Sequence, residues 1–431
     1  MDATINTVDE GKNMIKRLAA LHFGCLRHID VPVGNFQILV GPNASGKSTF
    51  FDIIRFIGDF LRDGLESAVH IRTPNFSNLV WMQASSRFEL AVELEIPSEL
   101  QDDTGPVRHE SARYEIAVGL NDQGELAILS EILWLRSQPP EEQKPARELF
   151  PSLSGPPASI LLPPNQKASH RGGKSVVKKT ESGNDYFRSE KSAWNIQFRL
   201  GPQRPALANL PEDEDKFPVA IWVKRLLMEE LNFLLLNSVA MRKSSPPGSP
   251  KDFRPDGSNI PFAIEHLRSS NMVLFEQWVE HVRTALPDIE DIQTVERPED
   301  KHRYLQILYA TGLRAPSWTV SDGTLRLLAL TLVAYLPIRH KIYLIEEPEN
   351  GIHPQAIETI YQSLSSSYDN QILCASHSPL FLSLAEPEEI LCFARTPDGA
   401  TDVVTGSEHP KLRNWRRRAD LGTLLATGVL G

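Results

Sequence analysis

The feature that most constrains the fold is a glycine-rich segment, GPNASGKS, at residues 41–48. It follows a short apolar run at residues 36–40, typical of a buried strand, and precedes apolar residues at helical spacing over residues 48–61. The pattern G-x-x-x-x-G-K-[ST] between a strand and a helix predicts a loop that surrounds phosphate groups with backbone N–H groups. The sequence therefore predicts an α/β domain of the P-loop type.

The loop supplies the kinds of group that a magnesium-bound nucleotide requires. Its backbone N–H groups and the start of the helix can bind phosphate oxygens. Lys47 can reach the β- and γ-phosphates and is a candidate catalytic residue, while the Ser48 hydroxyl can hold Mg²⁺. ATP and Mg²⁺ are the predicted cofactors. The predicted cofactor-binding residues of the loop are Gly41, Asn43, Ala44, Ser45, Gly46, Lys47, Ser48 and Thr49.

A second motif, IYLIEEPENGIHP at residues 342–354, is an apolar run that ends in two adjacent carboxylates. Glu346 lies where an acid can organise a metal ion, and Glu347 can polarise the water that attacks a γ-phosphate. An ordinary strand end gives the same letters. Because the motif occurs together with the phosphate loop, we predict that Glu346 binds metal and that Glu347 is catalytic.

Two further motifs are ambiguous when taken alone. SDGTLRLLAL at residues 321–330 predicts a polar turn that opens an apolar helix. Ser321 and Gly323 can bind an anion at such a helix start, although an ordinary N-cap has the same pattern. CASHSP at residues 374–379 places His377 after a short strand, where a lone histidine is usually structural. The position of both motifs beside the acidic strand favours phosphate contacts, and His377 is a candidate catalytic residue.

The pattern of apolar residues predicts a head that is interrupted and then resumed. Alternation between residues 87 and 135 predicts an antiparallel β subdomain. Crowded prolines and a polar, basic run predict a loop or partly disordered insert over residues 137–192. Helical spacing at 217–239, 260–269 and 273–286 predicts a helical lobe. The predicted parts are the P-loop and β subdomain at 1–136, the insert at 137–215, the helical lobe at 216–312, and the second half of the head at 313–431.

Charge limits the contacts that the chain can make with nucleic acid. The net charge is −10, so any contact with DNA must come from a local basic patch. Two candidates are the lysine-rich run at residues 167–179 and the segment KLRNWRRR at residues 411–418, where Trp415 can stack on a base. A solvated flexible loop is the simpler explanation of the first, and a basic surface helix paired with acids explains the second at least as well.

Several protein classes do not fit this sequence. The longest nearly apolar run, residues 327–338, is shorter than the roughly 20 residues of a membrane-spanning helix, and the polar, acidic start does not resemble a secretion signal. We therefore expect a cytoplasmic protein without membrane contact. Cys25, Cys374 and Cys392 are too scattered for a disulfide framework or a zinc site, so they are predicted to be small core residues.

The order of the motifs, GPNASGKS, SDGT, EEPENGIHP and SHSP, resembles the ABC-type ATPases of the RecF, SMC and OLD-like group. Within that group it is most similar to compact AAA family ATPases of prokaryotic defence and genome maintenance. The resemblance covers most of the chain except residues 137–215, and it extends to DGSNIPFAI at 256–264 and LGTLLATGVLG at 421–431. It implies an α/β P-loop NTPase fold, an ABC-type head with a mixed central sheet, an antiparallel β subdomain and a helical lobe.

The resemblance also implies roles for individual residues and a second copy of the chain as a partner. By matching position, Glu347 is the catalytic glutamate and His377 is the switch histidine. Lys47 binds phosphate. Ser321 and Gly323 act in trans on the γ-phosphate held by the opposite protomer, so the active form is a homodimer closed around ATP.

The sequence departs from the family pattern at several positions, and these differences limit which family properties we expect of this chain. Glu346 stands where many members have aspartate, so its contact with Mg²⁺ is expected to be shifted or water-mediated. Gln83 is a weak candidate for the glutamine that senses Mg²⁺. No sustained heptad pattern predicts a coiled coil, and the short stretch after His377 leaves too little chain for a nuclease domain. The chain is therefore not expected to be a nuclease itself.

Three functions fit these features. The first is an ATP-hydrolysing switch that closes as a homodimer and regulates a separately encoded effector, such as a nuclease, in anti-phage defence or DNA repair. The alternatives are a nucleotide-binding subunit of an ABC transporter and a nucleotide-gated scaffold with little turnover. A complete ATP site without a recognisable effector domain or membrane-coupling segment favours the first.

Overall fold

The computed structural model describes residues 14–101, 108–137, 147–152, 155–162, 173–337, 340–412 and 421–426 of the 431-residue chain. The strands are β1 (Ile15–Phe23), β2 (Leu26–Pro32), β3 (Phe36–Val40), β4 (Arg87–Glu95), β5 (Ser111–Leu120), β6 (Leu126–Arg136), β7 (Gly173–Thr180), β8 (Asp185–Arg188), β9 (Asn195–Phe198), β10 (Leu231–Leu234), β11 (Ile289–Glu296), β12 (Arg303–Tyr309), β13 (Arg314–Pro316), β14 (Ile342–Glu346), β15 (Gln371–Ala375), β16 (Ile390–Arg395) and β17 (Thr401–Thr405). The helices are α1 (Lys47–Asp63), α2 (Leu65–His70), α3 (Ser98–Gln101), α4 (Pro218–Glu229), α5 (Ser238–Met241), α6 (Ile260–Ser270), α7 (Met272–Ala285), α8 (Asp322–Leu332), α9 (Ile357–Ser365), α10 (Pro379–Ser383) and α11 (Leu421–Ala426). The predicted α/β class is confirmed.

The six-stranded sheet places the predicted motifs next to one another. Its order is β10-β14-β15-β3-β16-β17, and all neighbours are parallel except the antiparallel pair of β16 and β17. The phosphate loop follows β3, the acidic motif follows β14, and the loop with His377 follows β15. Because the carboxyl ends of parallel strands lie at one edge of a sheet, the three segments meet there.

This central sheet separates two hydrophobic cores. On β3, Leu39 belongs to one core whereas Ile38 and Val40 belong to the other, as the period of two in strand side chains requires. Helix α1 is buried on most of its circumference and packs in the first core. Burying each large apolar side chain stabilises the fold by about 1.5–3 kcal/mol, so α1 is firmly anchored behind the phosphate loop.

The eight-stranded sheet is antiparallel, in the order β2-β1-β4-β5-β6-β7-β8-β9. The strands predicted between residues 87 and 135 are present as β4, β5 and β6. The prediction of a loop over residues 137–192 is wrong where β7 and β8 extend this sheet, and β9 continues it within the predicted 137–215 insert.

A buried ion pair explains why the lysine-rich run does not behave as a flexible loop. Lys179 on β7 and Asp185 on β8 are fully buried, and Lys179 Nζ lies 2.5 Å from Asp185 Oδ1. Lysine is normally exposed, but a paired carboxylate allows a strand to carry it inside. Lys179 is therefore unavailable to DNA, whereas residues 167–172 of this run lie outside the described residues.

The predicted helix over residues 217–239 is wrong beyond Glu229, where α4 ends. The chain continues as β10, which pairs with β14 at the edge of the central sheet. Leu231 and Phe233 pack against the first core whereas Leu234 is buried in the second, which is the alternation of a strand. A short apolar run fits the periodicity of a helix or of a strand, and pairing with β14 made this one a strand.

The predicted helical lobe is mixed rather than purely helical. Helices α6 and α7 are present close to the predicted ranges. Strands β11, β12 and β13 accompany them as a separate three-stranded antiparallel sheet. The boundaries of the four predicted parts stay predictions.

The C-terminal part is described only in pieces. Helix α11 lies within LGTLLATGVLG, and its Leu421 is buried in the second core. Residues 413–418 of KLRNWRRR lie outside the described residues, so DNA binding by this segment stays a prediction. No helix among the described ranges has the length and apolar character needed to span a bilayer.

Candidate functional site

Two glycines shape the phosphate loop because their neighbours leave no space for a side chain. Gly41 has a φ of 149°, and a Cβ there would lie 2.2 Å from the carbonyl oxygen of Phe393 on β16. Gly46 has a φ of 105°, and a Cβ there would lie 2.5 Å from Thr401 Oγ1 on β17. Glycine is needed for both the backbone conformation and the close approach. The loop is thus wedged between β3, α1 and the last two strands of the sheet.

Lys47 begins α1, and its ammonium group lies against the loop. Lys47 Nζ donates to the carbonyl oxygens of Gly41 at 2.8 Å and Pro42 at 2.9 Å. Burial lowers the pKa of Lys47 to about 8, although the charges of Glu346 and Glu347 oppose the shift. The ammonium is desolvated and bonded to neutral carbonyl groups, so its charge is available to a phosphate.

A cleft of about 450 Å³ above the loop brings most of the predicted site residues together. It is bounded by the phosphate loop, the end of β14 and the end of β15. Gly41 lies at the base of the loop and does not line the cleft. The lining residues are Cys25, Asn43, Ala44, Ser45, Gly46, Lys47, Ser48, Thr49, Glu346, Glu347, Ala375 and His377.

The polar groups of this cleft fit a phosphate with a divalent cation. Helix α1 has no side-chain cap, so its first N–H groups are free to bind an anion. Ser45 Oγ is buried without a hydrogen-bond partner among the described residues. Ser48 and Glu346 present the oxygen ligands that Mg²⁺ prefers, but the described residues contain no cluster of three or more metal-binding side chains. A Mg²⁺ ion held by Ser48 and Glu346 would take phosphate and water oxygens as its other ligands.

Glu347 has an unusual backbone conformation at the end of the acidic strand. Its φ is 47°, in the left-handed region, and its N–H donates to the carbonyl oxygen of Ala375 at 2.8 Å. Such conformations are uncommon for residues other than glycine and concentrate at functional sites. The carboxylates of Glu346 and Glu347 both lie at the cleft and are exposed. Their predicted roles in metal binding and catalysis stay predictions.

The loop that carries His377 is held by Glu349, a residue that sequence reasoning missed. Glu349 Oε1 accepts hydrogen bonds from Ser376 Oγ at 2.8 Å and from the N–H groups of His377 and Ser378 at 3.1 Å each. The His377 ring lines the cleft, and its pKa is lowered by burial and by the charge of Lys47. The third acid of the EEPE sequence at residues 346–349 is the signal that could have identified Glu349.

One of the three cysteines departs from the prediction. Cys374 and Cys392 are buried as expected, and burial raises the pKa of both thiols, that of Cys392 to about 12. Cys25 fits the predicted core position only in part, because it is half-buried, packs against the first core and also lines the cleft. Its Sγ donates to Thr49 Oγ1 at 3.2 Å. The turn between β1 and β2 carries it to the phosphate loop.

Ser321 and Gly323 do not line this cleft. They lie at a separate depression of about 680 Å³, together with the turn at residues 351–354. Ser321 caps α8 by accepting a hydrogen bond from Thr324 N at 3.1 Å, so the N-cap alternative is present in the structure. A Cβ on Gly323 would lie 2.7 Å from the carbonyl oxygen of Gly351, which explains why glycine is needed there.

Gln83, the candidate Mg²⁺-sensing glutamine, does not line the cleft either. It has a left-handed backbone with a φ of 54°. Its side-chain Nε2 donates to Asn78 Oδ1 at 3.3 Å. The structure therefore gives no contact between Gln83 and the predicted metal site.

Comparison with known sequences places these features in a family. A family model described as "AAA domain, putative AbiEii toxin, Type IV TA system" matches residues 36–383. The OLD nuclease of Thermus scotoductus is 34% identical over 84 residues, which are 20% of this chain and 15% of that protein. The chain thus aligns with only a small part of that relative's length.

Solved structures share the fold at low sequence identity. An SMC head bound to the C-terminal winged-helix domain of ScpA has a TM-score of 0.51 at 15% identity, with 91% of this chain and 97% of that chain covered. An SMC head with an extended coiled coil, bound to the C-terminal domain of ScpA derived from Pyrococcus furiosus, has a TM-score of 0.49 at 14% identity, with 91% and 96% covered. The predicted P-loop head fold and the resemblance to the RecF, SMC and OLD-like group are confirmed.

Proposed function

The chain belongs to the AAA domain family that it matches over residues 36–383, and from this premise we propose that it is an ATP-hydrolysing switch. The observation that carries the proposal is the convergence of three segments at one cleft: the phosphate loop, the acidic pair after β14 and His377 after β15. Each is short in sequence and distant from the others. Their meeting at the carboxyl ends of adjacent parallel strands supports a phosphoryl-transfer site.

The proposed chemistry divides among the residues that line the cleft. The N–H groups of the loop and the ammonium of Lys47 bind phosphate oxygens and stabilise the charge that develops during transfer. Glu347 orients and polarises the attacking water. His377 contacts the γ-phosphate. Mg²⁺, when held by Ser48 and Glu346, would neutralise charge on the phosphate oxygens.

We further propose that the complete site needs a second copy of the chain. Ser321 and Gly323 lie at a depression distinct from the cleft of Lys47, so within one protomer they line a different surface. In a homodimer, the start of α8 from one protomer would cover the γ-phosphate bound by the other. The Ser321 side chain caps Thr324 N, and the earlier N–H groups and the positive end of this helix suit that contact.

The role that best fits an ATP switch of this family is control of a separate effector protein. The family description names a toxin system, and the distant relative is a nuclease. We propose that the dimer regulates a separately encoded effector, such as a nuclease, in the cytoplasm, in anti-phage defence or DNA repair. The effector would recognise the ATP-closed form.

Light scattering on the Glu347→Gln variant, with and without MgATP, tests the composite site. This variant should retain ATP and slow its hydrolysis, so ATP should convert it from one protomer to two. Adding Ser321→Arg should abolish the increase in mass, whereas Ser269→Arg, at an exposed position on α6, should not. A mass that does not change when ATP is added contradicts ATP-dependent closure of the dimer. An increase that survives Ser321→Arg contradicts the contact in trans.

Phosphate release tests the enzymatic part separately. The unmodified chain should hydrolyse ATP, and Lys47→Ala should remove both binding and turnover. Turnover that is absent under every condition, in a protein that binds ATP and dimerises, would favour the scaffold alternative over the ATPase.

A further inference from the structure

Glu349 connects the turn after β14 to the loop after β15. One carboxylate oxygen, Oε1, accepts all three hydrogen bonds that the described structure gives this side chain, and all three come from residues 376–378. The other oxygen, Oε2, is buried and has no partner among the described residues. Glu349 is half-buried, and leaving its buried Oε2 atom unpaired is costly, so this oxygen needs a physical explanation.

The three bonds hold the backbone on both sides of His377. Glu349 bonds the backbone of His377 and Ser378 together with the side chain of Ser376, which is fully buried. The ring of His377 makes no hydrogen bond to another residue in the described part of the chain. Its orientation toward the cleft therefore depends on its backbone, and Glu349 supplies much of what holds that backbone.

The same turn also carries Glu347. Glu349 follows it by two residues, and the N–H of Glu347 donates to Ala375 at 2.8 Å. The acidic turn is thus joined to the end of β15 by the Glu347 bond and to the histidine loop by Glu349. A shift of one segment must be transmitted to the other because three hydrogen bonds to one carboxylate oxygen of Glu349 join them.

We propose that Glu349 is a positioning residue that holds His377 in register with Glu347, so that the two reach the γ-phosphate together. This inference deepens the proposed function and rests on it. Glu349 does not itself line the cleft, so it acts through His377 rather than on the substrate. Its removal should lower turnover and leave nucleotide binding nearly intact.

Steady-state ATP hydrolysis by Glu349→Ala and Glu349→Gln separates positioning from binding. Glu349→Ala should lower kcat by about 10- to 100-fold, the range expected for losing hydrogen bonds to a charged group, with KM changed less than about 3-fold. Glutamine keeps an oxygen at the same place, so Glu349→Gln should recover much of the loss. Glu358→Ala and Glu358→Gln are matched controls, because this exposed glutamate on α9 bonds only Gln362 among the described residues.

A double-mutant cycle with His377→Ala decides whether Glu349 acts through the histidine. If it does, Glu349→Ala should cost little further activity in the His377→Ala background, because the group being positioned is already gone. Equal fold losses in both backgrounds would overturn the proposal while leaving the ATPase function standing. Absence of turnover in the unmodified chain would refute the proposed function, and the positioning role with it. Thermal melting of each variant identifies losses of activity that come from misfolding. If Glu349→Ala misfolds, Glu349→Gln, which keeps the side-chain volume, still tests the proposal.

Discussion

Replacing Lys179 by methionine removes the partner of a carboxylate that has no access to water. Lys179 and Asp185 are each 0% exposed, and the ammonium also donates to the carbonyl oxygen of Gly201 at 2.9 Å. Methionine fills a similar volume but offers no charge and no donor. Among the described residues, Asp185 then keeps only the hydrogen bond that its Oδ2 accepts from Leu200 N at 2.8 Å. The variant therefore buries a carboxylate without its counter-charge.

The expected destabilisation is large because one member of the pair remains. Breaking a buried ion pair from one side costs about 3–5 kcal/mol, whereas replacing both charged members can be almost neutral. The combination of Lys179→Met with Asp185→Asn keeps an acceptor for Leu200 N and removes both charges. It should cost only about 1–2 kcal/mol, the scale of one ordinary hydrogen bond. The double variant is thus expected to be more stable than the single one.

Urea unfolding followed by tryptophan fluorescence measures these differences, since Trp134 lies on β6 beside β7. Lys178→Met is the matched control, because Lys178 is adjacent on β7, only half-buried, and should change the free energy of unfolding by less than about 0.5 kcal/mol. If Lys179→Met proves as mild as Lys178→Met, the lysine is not buried in a sheet, and the original prediction of a flexible loop is restored.

Three further predictions concern the cleft. Gly46→Ala should abolish ATP binding, because the new Cβ would lie 2.5 Å from a hydroxyl oxygen on β17. The control Gly155→Ala has open space around its Cβ and should bind ATP normally. ATP affinity that survives Gly46→Ala would show that the loop geometry is wrong. MgATP should slow the reaction of Cys25 with a maleimide, while the two buried cysteines react only after unfolding; labelling of Cys25 that is indifferent to ATP argues against nucleotide in this cleft. Glu347→Gln should lower the rate of ATP hydrolysis by about 10²- to 10⁴-fold without changing the affinity for ATP, and Glu358→Gln is the control. A normal rate in Glu347→Gln would remove Glu347 from the mechanism.

Local sequence patterns were sufficient for the elements around the phosphate loop. The strand at residues 36–40, the glycines of the loop and the helix that begins at Lys47 lie within one short stretch. Strand alternation, helical spacing and the need for glycine at Gly41 and Gly46 are all properties of neighbouring residues. Glu346 and Glu347 were identifiable for the same reason, because a buried strand that ends in two acids is visible in the letters.

Local patterns failed where a partner distant in the chain decided the outcome. Leu231–Leu234 follows a helix and has the apolar content of one, yet it became a strand because the edge of β14 was available to pair with it. The lysine-rich β7 resembled a solvated loop because nothing in its own sequence indicates that Lys179 meets Asp185 in the core. A charge is predicted to be exposed unless its partner is known.

What the sequence by itself determined was the P-loop fold class and the chemical nature of the groups that end its central strands. Only the tertiary structure decided that Cys25 lines the same cleft as Lys47, that Glu349 holds the loop of His377, and that Ser321 lies at a different surface. The reason is physical. Backbone preferences and side-chain periodicity act over a few residues, whereas a site is assembled from strand ends separated by hundreds of residues, as in the 2.9 Å bond from Thr401 Oγ1 to the carbonyl oxygen of Ser45.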